Sequence, residues 1–278
     1  MRIDAHQHFW ALARGDYGWL TPDLAPIYRD FQPKDLEPAL SARGIGGTVL
    51  VQAAPTEAET AYMLDLAAQT GFVKGVVGWV DFESPGAVDS IATLAENPLL
   101  LGLRPMIHDI VDDAWMLGPA LTPAFDAMAA SGLVFDALTR PRHLGHLSTL
   151  LGRHPDLTVV IDHGSKPNIA AGHFDAWADA MARLARETGA AVKLSGLVTE
   201  AGPDWRVETL RPYVDHLLDT FGPDRMLWGS DWPVCTLASD YARWCAATDA
   251  LIGALSDREK AAILGGTAIA TYGLAAPA

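Results

Sequence analysis

The sequence has very few cysteines and no basic cluster. Cys235 and Cys245 are the two cysteines among 278 residues, and no short paired spacing joins them. This argues against a disulfide scaffold or a structural zinc knuckle, and it predicts a reducing, cytoplasmic compartment. The net charge is -14, with 20 Lys and Arg against 34 Asp and Glu. Neither a nucleic acid nor an anionic membrane surface is therefore expected as a partner.

Long apolar runs are also missing. No stretch of about 18 apolar residues occurs, so we expect no segment that spans a membrane. Residues 1–4 lack the apolar centre of a signal peptide. Half of the residues are hydrophobic, and no linker, repeat or low-complexity tract interrupts them. We therefore expect a single domain over residues 1–278.

What the sequence does contain is a histidine pair near its start, in the stretch Asp4-Ala5-His6-Gln7-His8. The pattern indicates a short strand, in which successive side chains point to opposite faces. His6, His8 and Asp4 would then share one face. Two imidazoles about 7 Å apart along a strand can converge on a metal ion, a substrate or a water molecule. The alternative is a pair of ordinary polar residues at a frayed terminus.

Beyond residue 32 the pattern alternates between strands and helices. Pro33 and Gly44 mark the start and end of one helix, and Thr56 is the expected N-cap of the next. Several strands are near-continuous apolar runs, as in parallel sheets that helices cover. Eight strand-helix units in about 250 residues are typical of a (β/α)8 TIM barrel. A doubly wound sheet would need a glycine-rich phosphate turn, which we do not find. The predicted strands are residues 3–8, 48–52, 73–80, 99–107, 133–137, 158–163, 191–195 and 225–231.

The segment 9–32 is too long and too aromatic for a simple connection. Long loops in compact domains are often lids or binding loops. The alternative is a hydrophobic plug that covers the core, and the sequence leaves both open. Its aromatic residues are Phe9, Trp10, Tyr17, Trp19, Tyr28 and Phe31.

Polar residues at the ends of the predicted strands are candidates for an active site, because barrel enzymes place theirs at the C-terminal ends of strands. His163 leaves a buried strand at a tight turn. Asp231 lies between Trp228 and Trp232, where a buried carboxylate must be ligated, hydrogen-bonded or paired. The guanidinium of Arg104 suits a carboxylate or a sugar oxygen. The remaining polar groups at strand ends are Gln52, Asp81, His108, Asp136, Arg140, Lys166, Lys193 and Ser195.

These motifs resemble those of the amidohydrolase superfamily. The resemblance rests on residues 4–8, 160–167, 193–197 and 227–233, and it extends strand for strand over nearly the whole chain. Within the superfamily, the chain is similar to the amidohydrolase 2 group, which contains sugar lactonases and 2-pyrone-4,6-dicarboxylate lactonase. The resemblance implies a single-domain (β/α)8 barrel that hydrolyses a small sugar lactone of the L-fucono- or L-rhamnono- type.

The resemblance also implies a set of catalytic residues. The first-strand histidines of the family fall on His6 and His8, its sixth-strand histidine on His163, and its eighth-strand aspartate on Asp231. Asp231 would activate the water as a general base, while the imidazoles would polarise the lactone carbonyl. Substrate binding is predicted for Arg104, Trp10, Gln52, His108, Lys166 and Trp232.

The chain departs from the two-metal members of the superfamily. Those carry a bridging lysine or glutamate on the fourth or fifth strand and a histidine on the fifth. This chain has Leu-Arg-Pro-Met at 103–106 and Phe-Asp-Ala-Leu at 135–138, so a two-metal centre is not expected. One zinc or other divalent ion could be held by His6, His8 and Asp231. Because the lactonase branch is associated with metal-independent hydrolysis, we expect that no metal is required.

Two other functions compete with the lactonase hypothesis. The first is a metal-dependent decarboxylase or hydratase of an aromatic-derived acid, which would need a firmly held metal and the missing fifth-strand histidine. The second is a non-catalytic protein that binds a sugar acid, which would gain little from a buried base. The sequence leaves the exact lactone and the oligomeric state open.

Overall fold

Eight parallel strands form one sheet whose order follows the chain. The computed structural model describes residues 1–275. Each strand pairs with the next along the chain, and a parallel bridge between Gln7 and Trp232 joins the two ends of the sheet. The fold is therefore the predicted (β/α)8 barrel. Its strands are β1 (Arg2–Gln7), β2 (Ile45–Val51), β3 (Val73–Gly78), β4 (Leu100–Leu103), β5 (Val134–Ala137), β6 (Val159–Ile161), β7 (Ala191–Leu194) and β8 (Met226–Trp228).

Most strands end earlier than their sequence patterns predict, and for three of them the residue that follows gives the reason. β4 ends before Pro105, which has no N–H to donate to a neighbouring strand. β6 and β8 end before His163 (φ 54°) and Asp231 (φ 57°), because a left-handed backbone cannot continue a strand. These residues turn over the mouth of the barrel instead of extending the sheet.

Helices connect the strands and cover the outside of the barrel, and two predicted caps are confirmed. Gly44 ends the first helix with a φ of 63°, and the Thr56 side chain accepts a hydrogen bond from the Glu59 N–H. Within residues 1–275, no helix combines the length and the apolarity needed to cross a bilayer. The helices are α1 (Pro33–Arg43), α2 (Glu57–Gln69), α3 (Ala87–Ala95), α4 (Thr122–Ala130), α5 (Leu144–Arg153), α6 (Asp175–Glu187), α7 (Leu197–Ala201), α8 (Val207–Phe221), α9 (Tyr241–Leu251), α10 (Asp257–Ala261) and α11 (Thr267–Tyr272).

The segment 9–32 covers the core and also reaches the barrel mouth. Trp10 and Phe31 exchange two backbone hydrogen bonds of 3.0 Å, which tie the ends of the segment together. Both rings are buried and pack edge to face, so this part of the segment is a hydrophobic plug. Trp19, by contrast, lines the cavity at the barrel mouth, as expected of a binding loop.

The last predicted helix, residues 257–272, is divided in the structure. A π-helical turn, Ala262–Gly266, separates α10 from α11. At this turn the backbone of Gly265 packs against the start of β1, and a Cβ atom there would lie 2.3 Å from the carbonyl oxygen of Met1. Only glycine fits so close an approach between two backbone segments.

Gly265→Ala is expected to lower the free energy of unfolding by about 1–3 kcal/mol, because the new methyl group has no room. Gly152→Ala is the matched control, since a Cβ at this helical position meets no atom within 4 Å. It should leave stability unchanged or raise it by about 0.5–1 kcal/mol. Urea unfolding of both variants measures the effect. Equal stability of Gly265→Ala and the parent protein would contradict the packing described.

Candidate active site

Four predicted catalytic side chains meet at the C-terminal end of the barrel. The Oδ1 atom of Asp231 lies 3.3 Å from Nε2 of His8, 3.7 Å from Nε2 of His6 and 3.9 Å from Nε2 of His163. All four side chains are at most 4% exposed. The structure therefore brings together residues that lie more than 200 positions apart in the sequence.

Asp4 does not join this cluster, although strict alternation along β1 would place it there. Its Oδ1 atom accepts the N–H of Ser230 at 2.8 Å, and its Oδ2 atom accepts the Tyr241 hydroxyl at 3.1 Å. The pairing of β1 with β2 is irregular between Asp4 and Gln7. Such an irregularity re-aims side chains near the end of a strand, so that His6 enters the cluster while Asp4 fastens β1 to β8 and α9.

Left-handed backbone conformations help to place the other two members of the cluster. Asp231 and His163 both have positive φ values, which non-glycine residues rarely adopt and which concentrate at functional sites. Gly196 (φ 63°) lets the chain after β7 pass close to His163. A Cβ atom at Gly196 would lie 2.5 Å from the His163 Nδ1 atom.

Outer hydrogen bonds fix how two imidazoles face Asp231. The Nδ1–H of His8 donates to the Val51 carbonyl oxygen at 2.7 Å, so its Nε2 atom points at the carboxylate. The Nδ1 atom of His163 lies 2.8 Å from the Ser195 hydroxyl, which leaves Nε2 facing the cluster. Ser195 was noted in the sequence only as a polar residue at a strand end.

Behind His6, the barrel interior holds a network of opposite charges. The fully buried Lys193 donates from Nζ to Asp136 at 2.5 Å, and lies 3.0 Å from Asp162 and 3.2 Å from Nδ1 of His6. Nη1 of Arg104 lies 3.3 Å from both Asp162 and Nε2 of His6. Two cations and two carboxylates balance one another around this imidazole, as buried charges must.

This network could not be recognised as a unit from the sequence. The one indication of the network in the sequence is Lys193 inside the apolar strand 191–194, because a lysine is almost never fully buried unless it is paired. Its partners could not be identified, since Asp136 and Asp162 belong to two other strands. The hydroxyl of Tyr272, near the C-terminal end, also donates to Asp136 at 2.7 Å.

Burial and neighbouring charges set the ionisation of the cluster. Burial alone would raise the pKa of Asp231, but His163 and His8 beside it hold that pKa below the ordinary value of 3.8. Burial and the Lys193 ammonium keep the pKa of His6 well below 6.5. Burial does the same for the pKa of His163. At neutral pH the cluster therefore presents an ionised carboxylate next to two uncharged imidazoles.

A small cavity of about 170 Å³ opens above the cluster. Of the side chains predicted to bind substrate, Arg104, His108 and Lys166 line it. The other three do not. Trp10 packs behind His8, Trp232 packs against Phe9 and Phe31, and Gln52 is buried with its Oε1 atom on Arg104. The lining residues are His8, Trp19, Ala53, Arg104, Met106, His108, Asp109, Leu138, His163, Lys166, Asp231 and Val234.

His108 on the cavity wall gives stability a pH dependence. Burial lowers its pKa to about 3, and the nearby Lys166 and Arg104 act in the same direction. An unfolded histidine binds a proton below about pH 6.5, whereas the folded one does not until about pH 3. The contribution of His108 to stability is therefore complete above pH 6.5 and is lost as the pH falls toward 3.

We expect the free energy of unfolding to fall less in His108→Gln than in the parent protein between pH 7.5 and 5.0. The difference should be about 2 kcal/mol, since each pH unit below 6.5 is worth about 1.4 kcal/mol. Urea unfolding at both pH values measures it. Parallel losses in the two proteins would contradict the lowered pKa.

The cluster can also accommodate a cation. Ligand atoms of His6, His163 and Asp231 all lie within 4.8 Å of one another. Because the Nδ1–H of His8 donates to Val51, the Nε2 atom of a neutral His8 directs its lone pair at the Asp231 carboxylate. Both of these atoms are hydrogen-bond acceptors, so their contact requires a proton or a cation between them. Imidazole and carboxylate ligands suit zinc. The ligand atoms of His6, His163 and Asp231 therefore fit one divalent ion, and His8 lies beside them against Asp231.

Comparison with known proteins gives consistent matches along the chain. A family model described as amidohydrolase matches residues 3–274. An L-fucono-1,5-lactonase from Burkholderia ambifaria is 51% identical over 248 residues, which cover 88% of this chain and 86% of that protein. An L-fucono-1,5-lactonase from Burkholderia multivorans is 34% identical over 298 residues, which cover 100% of this chain and 98% of that protein.

A solved structure agrees with the fold over its full length. It is an amidohydrolase from Burkholderia multivorans with bound zinc, 34% identical to this chain. The two superpose with a TM-score of 0.93 over 99% of this chain and 100% of the other. That structure contains zinc, and the His-Asp cluster of this chain also suits a divalent metal.

Proposed function

The chain belongs to the amidohydrolase family, and from this premise we propose that it is a lactonase that opens a small sugar lactone to the sugar acid. The observation that carries the proposal is the convergence of three imidazoles on the Asp231 carboxylate below a cavity sized for one small ring. Similarity to two L-fucono-1,5-lactonases supports this class of substrate. It does not favour a decarboxylase or a hydratase.

In the proposed mechanism, Asp231 is the general base. Its carboxylate is ionised at neutral pH, and its Oδ1 atom faces the cavity together with Nε2 of His8. A water molecule held there donates a proton to Asp231 as its oxygen attacks the lactone carbonyl. His8 and His163, fixed by their outer hydrogen bonds, position that water.

The carbonyl oxygen gains negative charge as the water attacks. The imidazole of His163 polarises the carbonyl through its Nε2–H, because its Nδ1 atom accepts the Ser195 hydroxyl, and the Arg104 and Lys166 cations on the cavity wall stabilise the developing charge. When the tetrahedral intermediate collapses, the bond from the carbonyl carbon to the ring oxygen breaks. Asp231 then returns the proton to that ring oxygen, which becomes a hydroxyl group, and the product acid ionises in solution.

Substrate binding is assigned to the polar groups that reach the cavity. The Nζ atom of Lys166 is anchored by Glu200 at 2.7 Å, and Nε2 of His108 lies 3.2 Å from Asp109. Both side chains are less than one-fifth exposed, so that they are held in place to contact ring hydroxyls. Arg104, buried between Gln52 and Asp162, contributes its charge at a fixed position.

A divalent metal, when bound, would be held by His6, His163 and Asp231, with His8 beside them, and would polarise the carbonyl and acidify its water. We propose that hydrolysis proceeds without it. The reason is that an ionised base and two cations already surround the reacting position.

Turnover of a panel of aldono-1,4- and 1,5-lactones, followed by proton release with and without a strong chelator, tests both statements. We expect rapid opening of one lactone, with L-fucono-1,5-lactone the first to try, and less than a twofold change after chelation. Activity that is lost on chelation and restored by zinc would keep the lactonase and overturn metal independence. No turnover of any lactone would overturn the proposed function.

A further inference from the structure

A second and larger cavity adjoins the catalytic cavity. Its volume is about 470 Å³, against about 170 Å³ for the cavity above Asp231. Trp19, Met106 and Asp109 line both, so the two cavities lie side by side. We call it the aromatic cavity. Its lining residues are Asp16, Gly18, Trp19, Pro55, Trp79, Val80, Asp81, Phe82, Glu83, Pro105, Met106, Asp109, Ile110 and Trp115.

The lining of the aromatic cavity combines ring faces with carboxylates. Four aromatic rings, from Trp19, Trp79, Phe82 and Trp115, provide flat apolar surfaces. Pyranose rings present apolar C–H faces that pack on such surfaces and hydroxyl groups that donate to carboxylates. No lysine, arginine or histidine is among the lining residues, so an anionic group would be repelled.

Two of the carboxylates keep oxygens that can accept hydroxyl groups, although Oδ1 of Asp81 already accepts the backbone N–H of Glu83 at 3.0 Å. Asp81 and Glu83 are exposed at the rim, and within residues 1–275 neither forms an ion pair with a basic side chain. Asp16 differs, because its Oδ2 atom is already bound to Arg14 at 2.6 Å. The rim thus keeps hydrogen-bond acceptors on residues that line the aromatic cavity and not the catalytic cavity.

From these features we propose that the aromatic cavity binds a neutral glycosyl group attached to the lactone ring. The lactone ring occupies the catalytic cavity, and its glycosyl substituent lies on the tryptophan faces while its hydroxyls donate to Asp81 and Glu83. The substrates then include lactones of the disaccharide type. This inference rests on the proposed lactonase function, and it assigns a role to a cavity that single-ring hydrolysis leaves unused.

A set of lactones that carry a glucosyl group at different ring positions tests the proposal. The parent is the simple lactone that the enzyme opens fastest, and each derivative carries a β-glucosyl group on one of its ring hydroxyls. The measured quantity is kcat/KM of the derivative divided by kcat/KM of the parent. We expect at least one derivative with a ratio near or above one. A glucuronosyl group at the same position should lower that ratio at least tenfold, since its carboxylate would face the acidic rim.

Two glycine variants link the effect to the aromatic cavity. Gly18 lines the cavity, and a Cβ atom there meets nothing within 4 Å, so Gly18→Phe has room to project its ring into the space. It should lower the ratio for the accepted derivative at least tenfold. Gly71→Phe is the matched control, because a Cβ at Gly71 also meets nothing within 4 Å and Gly71 is outside the lining. It should leave the ratio unchanged.

Three results would overturn the proposal while the lactonase function stands. The first is that every glucosyl derivative is at least 100-fold worse than the parent lactone. The second is an accepted derivative whose ratio is the same in Gly18→Phe and Gly71→Phe. The third is that alkyl-substituted lactones, rather than glycosylated ones, are favoured and lose that preference in Gly18→Phe. Failure to hydrolyse any parent lactone is a different outcome, since it refutes the proposed function itself.

Discussion

Asp231→Asn is expected to lower kcat at least about 100-fold on the lactone that the enzyme opens fastest. The amide has nearly the same shape as the carboxylate but cannot take a proton from water, and general-base catalysis is typically worth 10²–10⁴-fold. KM should change much less, because Asp231 acts on the water and other groups hold the ring. Steady-state kinetics of the purified variant measure the effect.

Asp126→Asn is a suitable control for that experiment. Asp126 also pairs with a histidine, His154, at 2.8 Å, but lies on α4 at the outside of the barrel. It should change kcat less than twofold. Near-normal turnover of Asp231→Asn in a folded protein would remove Asp231 from the role of base without affecting the fold.

Lys193→Met is expected to lower the free energy of unfolding by about 3–5 kcal/mol. The methionine fills similar space but leaves the Asp136 and Asp162 carboxylates without their shared ammonium partner, and an uncompensated buried charge costs that much. His6 would also lose the ammonium 3.2 Å from its Nδ1 atom. Urea unfolding of the variant and the parent protein measures the loss.

A second substitution separates loss of charge balance from loss of packing. In the double variant Lys193→Met/Asp136→Asn, one of the unpaired carboxylates is removed as well. We expect the double variant to recover at least about 1 kcal/mol of the free energy of unfolding relative to Lys193→Met alone, because the effects of substitutions within one charge network are not additive. A double variant that is less stable than Lys193→Met would show that packing, rather than charge balance, dominates at this position.

The order of elements and the clustering of the candidate site residues could be predicted because both rest on local signals. Apolar runs or strand-like alternation marked all eight strands, and the rule that barrel enzymes use the C-terminal ends of strands selected His163 and Asp231. The caps at Gly44 and Thr56 likewise depend on residues within one helical turn. Such features need no knowledge of partners elsewhere in the chain.

What could not be predicted depends on pairing between distant segments. Asp4 leaves the face of His6 because β1 pairs irregularly with β2, and periodicity within one strand cannot reveal that. Trp10 is withdrawn from the cavity by its bridge to Phe31. The role of Lys193 depends on two carboxylates from other segments, Asp136 on β5 and Asp162 just after β6. Each of these positions is set by tertiary contacts that overrule a local pattern.

The central claim is that water activated at Asp231 attacks the carbonyl carbon of a sugar lactone. The most direct test is to open L-fucono-1,5-lactone with the enzyme in ¹⁸O-labelled water and to locate the label in the product by mass spectrometry and ¹³C NMR. The account predicts acid formation far faster than spontaneous hydrolysis, with one ¹⁸O atom in the carboxylate and none in the new hydroxyl group. Product that forms no faster than without enzyme, or label on the hydroxyl carbon, would contradict it.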